Sequence, residues 1–396
     1  MLSKRADSLK PSPTLAITAK EKVLRAQGLD IAGFGAGEPD FDTPQHIKQA
    51  AIDAINEGFT KYTAVAGIDP LKDAIIEKFK SDNDLAYKRE EIIVSCGGKH
   101  GLYNLFQVLF QEGDEVIVPT PYWVSYPPML ELAGAKPVIM DTDERDDYQV
   151  TEDLLKKYIT KNTKAIILNY PSNPVGSVYT LENLTRIGRI AVENNLYIIS
   201  DEIYEKLTYD GYKHTSIASI DSAFKEKTII AHGVSKTYSM TGWRIGFTAG
   251  PKEIISAMSN IQSQSTSNPT SISQRAAVAA LTGPQDFITT MVGEFRKRRD
   301  YLVAEMRSIP GVTCYNPRGA FYVFPNFNAI LGRKHEGTVI GTSTELTKLL
   351  LEVFHTAVVP GVEFGKEGYL RLSFATSMEV IKKGVDRIKE AVAALA

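Results

Sequence analysis

The sequence has few of the features of a secreted, membrane-spanning or nucleic-acid-binding protein. Its only two cysteines, Cys96 and Cys314, lie in no CxxC pair, so neither a disulfide framework nor a thiolate metal site is predicted. No apolar run approaches the ~18 residues that a membrane-spanning helix needs, and the basic N-terminus is followed by no apolar signal core. The 45 basic and 47 acidic residues nearly cancel, which argues against nucleic acid or an anionic membrane as a partner. These absences predict a cytoplasmic protein.

The apolar pattern predicts an α/β protein of two or more domains. A length of 396 residues exceeds what one ordinary core accommodates. Helical patterns separate most of a series of short apolar runs, as in a mostly parallel sheet that helices cover on both faces. These runs span residues 92–95, 115–119, 137–140, 164–168, 197–200 and 227–231.

The pattern changes near residue 285. A charged helix is predicted over residues 294–309, and its RKRR run at 296–299 is expected to be a solvated face. Short strands then alternate with helices predicted at 343–356 and 377–395. This part of the chain therefore predicts a second domain of the α+β type.

Residues 233–247, GVSKTYSMTGWRIGF, follow the last of these strands. Lys236 thus lies just past the carboxyl end of a strand, where open α/β sheets hold their ligands. Arg244 follows eight residues later. The pattern indicates an amine that forms a Schiff base and a guanidinium that binds an anion, although a lone lysine is usually a surface residue.

Three other strands end in suggestive side chains. Trp123 could stack on a flat ring, with core packing as the alternative. Asn173, in a proline-rich turn, could donate to a phenolate-like oxygen or be structural. Asp201 and Tyr204 would point the same way if a helical turn begins there, whereas the simpler alternative is an aspartate that caps the turn.

Two glycine-rich loops favour a ligand other than a nucleotide. Residues 33–44 fail the GxGxxG spacing because position 38 is glutamate, so a nicotinamide site is not indicated. The backbone at Gly37 can approach a small ligand, and the alternative is that the segment is only a turn before a helix predicted at 46–57. Gly98 begins a predicted helix whose N–H groups could bind phosphate. A nucleoside-triphosphate loop is excluded because that motif requires glycine at position 93 and serine or threonine at position 100, where this chain has Ile93 and His100.

Four motifs in order resemble those of the class I and II aminotransferases, the fold-type I pyridoxal-phosphate enzymes. They are NYPSNPVG at 169–176, SDEIYE at 200–205, the 233–247 segment and RLSFA at 371–375. Within the family the chain is most similar to a bacterial aspartate aminotransferase subgroup with GGK and YWVSYP motifs, here at 97–99 and 122–127.

The resemblance implies a large domain around a mostly parallel seven-stranded sheet and a smaller α+β domain. The expected division places an N-terminal arm and part of the small domain at residues 1–45, the large cofactor-binding domain at 46–285 and the rest of the small domain at 286–396. It also implies a homodimer with shared active sites.

The resemblance also implies roles for individual residues around pyridoxal 5'-phosphate. Lys236 would bind the cofactor aldehyde as an imine and carry a proton, because a lysine pKa can fall where an arginine pKa cannot. Asp201 would keep the pyridine nitrogen protonated so that the ring withdraws electrons. Tyr204 and Asn173 would hydrogen-bond the ring oxygen and favour its ionised form.

The cofactor phosphate and ring would have further partners. Trp123 would stack on the ring, while Gly98, Lys99 and Arg244 would surround the phosphate. Tyr62 resembles a tyrosine that reaches the phosphate of the neighbouring subunit. Some relatives have serine two and three places before the lysine, where this chain has valine and glycine, so one phosphate contact differs.

The substrate would bind mainly through positive charges. Arg371 resembles the bidentate partner of the substrate α-carboxylate, with the Gly37 backbone nearby. Lys99 would serve the distal carboxylate, and Lys10 would help to recognise prephenate. The implied substrate-binding set is Gly37, Trp123, Asn173, Arg371, Lys99 and Lys10.

The sequence therefore predicts a ping-pong aminotransferase that uses L-aspartate and 2-oxoglutarate, with prephenate as a further substrate. Aromatic amino acids, alanine or prephenate could instead be the main substrate, and the same chemistry could serve a lyase. Two alternatives from other classes are a nicotinamide dehydrogenase, which the failed glycine spacing opposes, and a non-catalytic effector-binding protein of a transcription regulator. The regulator would carry a basic DNA-binding domain before this fold, and only about 30 residues precede Gly33.

Overall fold

The computed structural model describes residues 13–396 together with Ser3, Asp7 and Leu9. The helices are α1 Pro13–Ala26, α2 Gln45–Asn56, α3 Asp69–Asn83, α4 Gly98–Leu109, α5 Tyr126–Leu132, α6 Glu152–Tyr158, α7 Leu181–Glu193, α8 Ser222–Lys227, α9 Lys252–Ser265, α10 Ser271–Thr282, α11 Asp286–Arg307, α12 Ser343–Glu352 and α13 Met378–Ala393. The strands are β1 Ala32–Gly33, β2 Ile92–Ser95, β3 Glu115–Pro119, β4 Lys136–Met140, β5 Thr163–Asn169, β6 Tyr197–Asp201, β7 Thr228–Gly233, β8 Gly246–Ala249, β9 Tyr322–Val323, β10 Lys334–His335, β11 Thr338–Val339, β12 Thr356–Ala357, β13 Val359–Pro360 and β14 Leu370–Ser373.

A seven-stranded sheet in the order β2-β8-β7-β6-β5-β3-β4 forms the centre of the larger part. Strands β3 to β7 run parallel, and β8 runs antiparallel to both β2 and β7. The mostly parallel sheet predicted from the sequence is confirmed. The register aligns Asn169, Asp201 and Ala231, which brings the carboxyl ends of three neighbouring strands together.

The C-terminal part folds around a three-stranded antiparallel sheet, β13-β14-β9. Its apolar core includes Ala32 and Phe34, which precede the large sheet in the chain. Strand β1 pairs in parallel with β12, and Ala32 lies opposite Thr356. The N-terminal segment therefore packs with the C-terminal part, while the domain limits at residues 45 and 285 remain a prediction.

The RKRR run contradicts the prediction of a solvated helix face. Lys297 is exposed, but the Arg299 side chain is only 2% exposed. Arg299 lies on the face of α11 that also buries Phe295 and Leu302, because these positions are three or four residues apart. Its guanidinium donates to Asp210 Oδ2 at 2.7 Å, so an ion pair at the edge of the core compensates the buried charge.

Among the described residues, no helix is both long and apolar enough to cross a membrane.

Candidate active site

One cleft of about 410 Å³ lies at the carboxyl ends of β5, β6 and β7, beside the N-terminus of α4. The loop that contains Gly37 and strand β14 contribute residues from the smaller part. The cleft brings together most of the residues singled out in the sequence, namely Gly37, Gly98, Lys99, Trp123, Asn173, Asp201, Tyr204, Lys236, Arg244 and Arg371. Tyr62 does not line the cleft and is 91% exposed. Lys10 lies outside the described residues.

Lys236 extends from the turn after β7, and its Nζ donates to the carbonyl oxygen of Gly37 at 2.5 Å. Burial lowers the pKa of Lys236 from 10.5 to about 8, because an ammonium group loses hydration inside the protein. The nearby Glu38 carboxylate opposes this shift, and Arg244 adds to it. At pH 7 a lysine with this pKa is neutral in roughly one molecule in ten, far more often than an ordinary lysine, and the neutral amine is the form that acts as a nucleophile or general base.

Asp201 ends strand β6 and is buried. The hydroxyl of Tyr126 donates to its Oδ2 at 2.6 Å, and the backbone N–H of Ile203 donates to Oδ1 at 3.3 Å. Burial raises the pKa of the Asp201 carboxyl from 3.8 to about 6, and the Tyr126 hydrogen bond limits the rise. Near neutral pH the cleft therefore contains a largely ionised carboxylate that suits a cationic partner.

Arg371 is buried at the centre of β14, whereas its neighbours Leu370 and Leu372 pack in the apolar core. Its guanidinium donates to Asn173 Oδ1 at 3.2 Å and to the carbonyl oxygen of Gly35 at 2.8 Å. The Nε–H group has no hydrogen-bond partner among the described residues. A buried guanidinium with an unpaired donor suits a carboxylate ligand, because an unmet hydrogen bond is costly inside a protein.

Two tyrosine hydroxyls lie beside this guanidinium. Tyr204 and Tyr322 lie 3.0 Å apart between hydroxyl oxygens, and the Tyr322 ring centroid is 4.6 Å from the Arg371 guanidinium carbon. Because Asn173 accepts from Arg371 through Oδ1, its amide nitrogen stays available as a donor. The hydrogen-bond donors around this guanidinium therefore come both from the part with the large sheet, through Asn173 and Tyr204, and from the C-terminal part, through Tyr322 and Arg371 itself.

The part of the cleft beside the N-terminus of α4 is built for an anion. Gly97, with φ of +88°, precedes α4, and a Cβ there would lie 2.4 Å from a guanidinium nitrogen of Arg244. Arg244 donates to the carbonyl oxygens of Thr241 at 2.9 Å and Cys96 at 3.3 Å, which fixes its side chain. The positive end of α4 and this guanidinium together fit a phosphate group.

Lys99 and Trp123 also line the cleft. The Lys99 ammonium is 5.0 Å from the Trp123 ring centroid. Burial and the nearby Arg244 guanidinium lower the pKa of Lys99. The Trp123 ring also contacts the ring of Tyr126 edge to face, with centroids 5.3 Å apart. A flat ligand and a second anionic group could therefore both find partners here.

Outside the set of residues that line the cleft, Glu202, Glu205 and His214 bring potential metal ligands within 4.8 Å of one another. Their charges already have protein partners. The Lys78 ammonium contacts Glu205, while His214 Nε2 lies 2.9 Å from a carboxylate oxygen of Glu202. Ser216 also donates to Glu202 at 2.7 Å. These contacts form a buried polar network within the protein.

Sequence reasoning missed several residues that line the cleft or contact its side chains. Tyr322 and Tyr126 were not singled out, because only tertiary folding brings them to Tyr204 and Asp201. Ser235 is buried and lines the cleft directly before Lys236. The available signal was its position directly before the lysine in the sequence GVSK.

The site is that of an α/β enzyme that combines a nucleophilic lysine, a buried carboxylate and several cationic groups for small anionic ligands. Comparison with known proteins gives the same answer. The family model described as Aminotransferase class I and II matches residues 30–388. The chain therefore belongs to the class I and II aminotransferases.

Individual relatives match over the whole chain. An aspartate aminotransferase of Bacillus subtilis (strain 168) is 50% identical over 393 residues, covering 99% of this chain and 98% of that protein. A probable aspartate/prephenate aminotransferase of Rickettsia conorii is 47% identical over 394 residues, covering 99% of this chain and 98% of that protein. The crystal structure of an aspartate aminotransferase from Rhizobium meliloti has a TM-score of 0.96 at 42% identity and covers 100% of both chains. These matches confirm the family and the fold-type I architecture predicted from the sequence.

Proposed function

We propose that this aminotransferase uses pyridoxal 5'-phosphate in the cleft around Lys236. The observation that carries the proposal is that the Lys236 amine, the Asp201 carboxylate and the anion site at Arg244 line one cleft. When bound, the cofactor supplies an aldehyde and a ring that withdraws electrons from the substrate α-carbon. The donor set fits, because each polar part of this cofactor has a partner of matching charge.

The roles follow from the chemistry of each side chain. Lys236 would hold the cofactor and then move a proton at the substrate α-carbon, which its pKa of about 8 permits. Asp201 would bind the ring nitrogen, and Arg244 with the N-terminus of α4 would bind the phosphate. Tyr204 and the amide nitrogen of Asn173 would donate to the ring oxygen.

We further propose L-aspartate and 2-oxoglutarate as the substrate pair of a ping-pong reaction, with prephenate as an additional amino acceptor. Arg371 would bind the α-carboxylate of each substrate through its unpaired Nε–H. The names of the Bacillus subtilis and Rickettsia conorii relatives support this choice.

A panel of amino donors and acceptors tests the substrate assignment. Aspartate, alanine and phenylalanine would each be assayed with 2-oxoglutarate, and aspartate with prephenate. We expect aspartate to have the highest kcat/KM with 2-oxoglutarate. A higher kcat/KM for alanine or phenylalanine would contradict the assignment, and no turnover of prephenate would remove it from the substrates.

Lys99 is the candidate partner of the distal carboxylate. We expect Lys99→Ala to raise KM for aspartate roughly 10- to 100-fold, since a hydrogen bond to a charged group contributes about 1.5–3 kcal/mol. The KM for alanine, which has no distal carboxylate, should change little. Lys164→Ala, at the amino end of β5, is a matched surface control. Equal effects of Lys99→Ala on both substrates would reject the role.

We also propose a two-fold homodimer in which Tyr62 reaches the phosphate of the partner's active site. Tyr62 is 91% exposed, and Ile52 and Ile55 expose apolar side chains on α2. Exposed apolar side chains of this kind are frequent at protein interfaces. We expect sedimentation equilibrium to give twice the chain mass of 43.6 kDa. A fully active monomer would contradict the shared site.

A reducing, cytoplasmic location remains part of the proposal because both cysteines are free thiols. Cys314 is buried, and burial raises the pKa of its thiol to about 12. The thiol is therefore protonated and unreactive at neutral pH.

A further inference from the structure

The contact between Tyr126 and Asp201 has no role in the function proposed so far. Tyr126 is the first residue of α5 and is 1% exposed. Its hydroxyl donates to Asp201 Oδ2 at 2.6 Å, a short distance for a phenol and a carboxylate. Among the described residues, the other carboxylate oxygen, Oδ1, accepts a hydrogen bond only from the Ile203 N–H group, at 3.3 Å. One side of the carboxylate therefore has a strong donor, and the other has only a weak one.

Packing fixes the Tyr126 donor in place. Its ring lies edge to face against Trp123 with the ring planes at 83°, and it belongs to the apolar cluster between α4 and the sheet. Burial and the adjacent Asp201 carboxylate raise the pKa of Tyr126 well above 10. The phenol therefore keeps its proton throughout the working pH range and acts only as a donor to Asp201.

We propose that Tyr126 is a positioning residue that keeps the Asp201 carboxylate ionised and turned so that Oδ1 stays available to a cationic ring nitrogen. The identity of that nitrogen rests on the proposed cofactor. The hydrogen bond to Oδ2 and its effect on the ionisation of Asp201 are properties of the chain itself. They can be measured without cofactor.

The direction of the pH effect follows from the groups around the carboxyl. Burial raises the pKa of Asp201 to about 6, the Glu202 carboxylate adds to the rise, and Tyr126 and Lys236 oppose it. The Tyr204 phenol also faces this carboxyl. Without the Tyr126 hydroxyl, the pKa of Asp201 should rise further, because the ionised form loses its strongest hydrogen bond.

This pKa is linked to stability with a defined sign. A carboxyl whose pKa is higher in the folded than in the unfolded chain stabilises the fold below its unfolded pKa, near 3.8. That contribution is lost as the pH rises through the folded pKa, near 6 in this protein. In Tyr126→Phe the stabilising contribution of the Asp201 carboxyl should persist to a higher pH before it is lost.

The experiment measures urea unfolding of the full-length, cofactor-free protein between pH 5 and pH 8.5. At each pH, the free energy of unfolding of the Asp201→Asn variant is subtracted from that of wild type, which isolates the contribution of this carboxyl to stability. The same subtraction in the Tyr126→Phe background should give a curve of the same shape that lies about one unit higher on the pH axis, which corresponds to a tenfold change in the proton affinity of Asp201. Tyr179→Phe is the matched control, because Tyr179 is also buried and its hydroxyl contacts the Val150 N–H group at 3.4 Å. It should cause no shift.

A second measurement uses the cofactor-loaded enzyme. We expect Tyr126→Phe to lower kcat for aspartate about tenfold per active site with little change in KM, whereas lost packing alone would only reduce the number of active sites. Identical difference curves with and without the Tyr126 hydroxyl would overturn the inference, as would an unchanged kcat. Neither result would affect cofactor attachment at Lys236, so failure of this inference is distinguishable from failure of the proposed function.

Discussion

Lys236→Ala is expected to lower kcat by at least about 10⁴-fold, the upper value for a positioned acid–base group. The Lys236 amine has two proposed roles, cofactor attachment and proton movement at the substrate α-carbon, and the variant loses both. Its contact with the Gly37 carbonyl places it inside the cleft. Transamination rates in single-turnover and steady-state assays would measure the loss.

The fold should survive this change. The pKa of Lys236 is lowered to about 8, so the neutral amine is favoured in the folded chain. For such a base, the stabilising contribution is present above the unfolded pKa of 10.5 and is lost as the pH falls through about 8. Cofactor-free Lys236→Ala should therefore be at least as stable as wild type at pH 7. Lys252→Ala, an exposed surface variant, is the activity control, and turnover of Lys236→Ala at the wild-type rate would rule out the mechanism.

The second large effect is expected for Arg371→Leu. Removing one partner of a buried, hydrogen-bonded charge pair costs about 2–5 kcal/mol, so kcat/KM should fall by roughly 30- to 5000-fold for every amino and oxo acid. Leucine keeps an apolar side chain against Tyr322 and Phe364, which lie 4.6 Å and 5.1 Å from the guanidinium carbon. Initial rates over a range of substrate concentrations would separate the change in KM from the change in kcat.

Two further variants make the Arg371 result specific. Arg371→Lys keeps a charge but cannot form the two-pronged contact, so it should recover only part of the lost kcat/KM. Arg299→Leu removes another buried arginine, which pairs with Asp210 outside the cleft. It should destabilise the protein but leave kcat/KM per folded molecule unchanged. A normal kcat/KM in Arg371→Leu would exclude Arg371 as the carboxylate partner.

Periodicity predicted most of the large sheet but not all of it. Strand β3 has the predicted limits, Glu115–Pro119, because a continuous apolar run is bounded there by a turn. Strand β8, Gly246–Ala249, was not recognised from periodicity, since its sequence, GFTA, begins with glycine and contains no continuous apolar run. Only the family resemblance supplied a seventh strand. In the C-terminal part, α11 begins at residue 286 rather than 294, because its first turns lack a strong charge pattern.

The sequence predicted where the site lies in the fold better than it predicted which residues contact one another within the site. Asp201 and Lys236 could be placed at neighbouring strand ends because parallel strands share one carboxyl edge. The sequence could not predict which carbonyl of the 33–44 loop each side chain contacts. Arg371 contacts the Gly35 carbonyl, whereas the Gly37 carbonyl accepts from Lys236. The Tyr126 contact was invisible because 75 residues separate it from Asp201 and only packing joins them.

The covalent attachment at Lys236 is the central claim, and peptide mapping tests it most directly. Purified protein would be incubated with pyridoxal 5'-phosphate, reduced with sodium borohydride, digested and analysed by mass spectrometry. We expect the reduced cofactor on the peptide that contains Lys236. An unmodified Lys236 peptide after incubation with excess cofactor, or modification confined to other lysines, would contradict it.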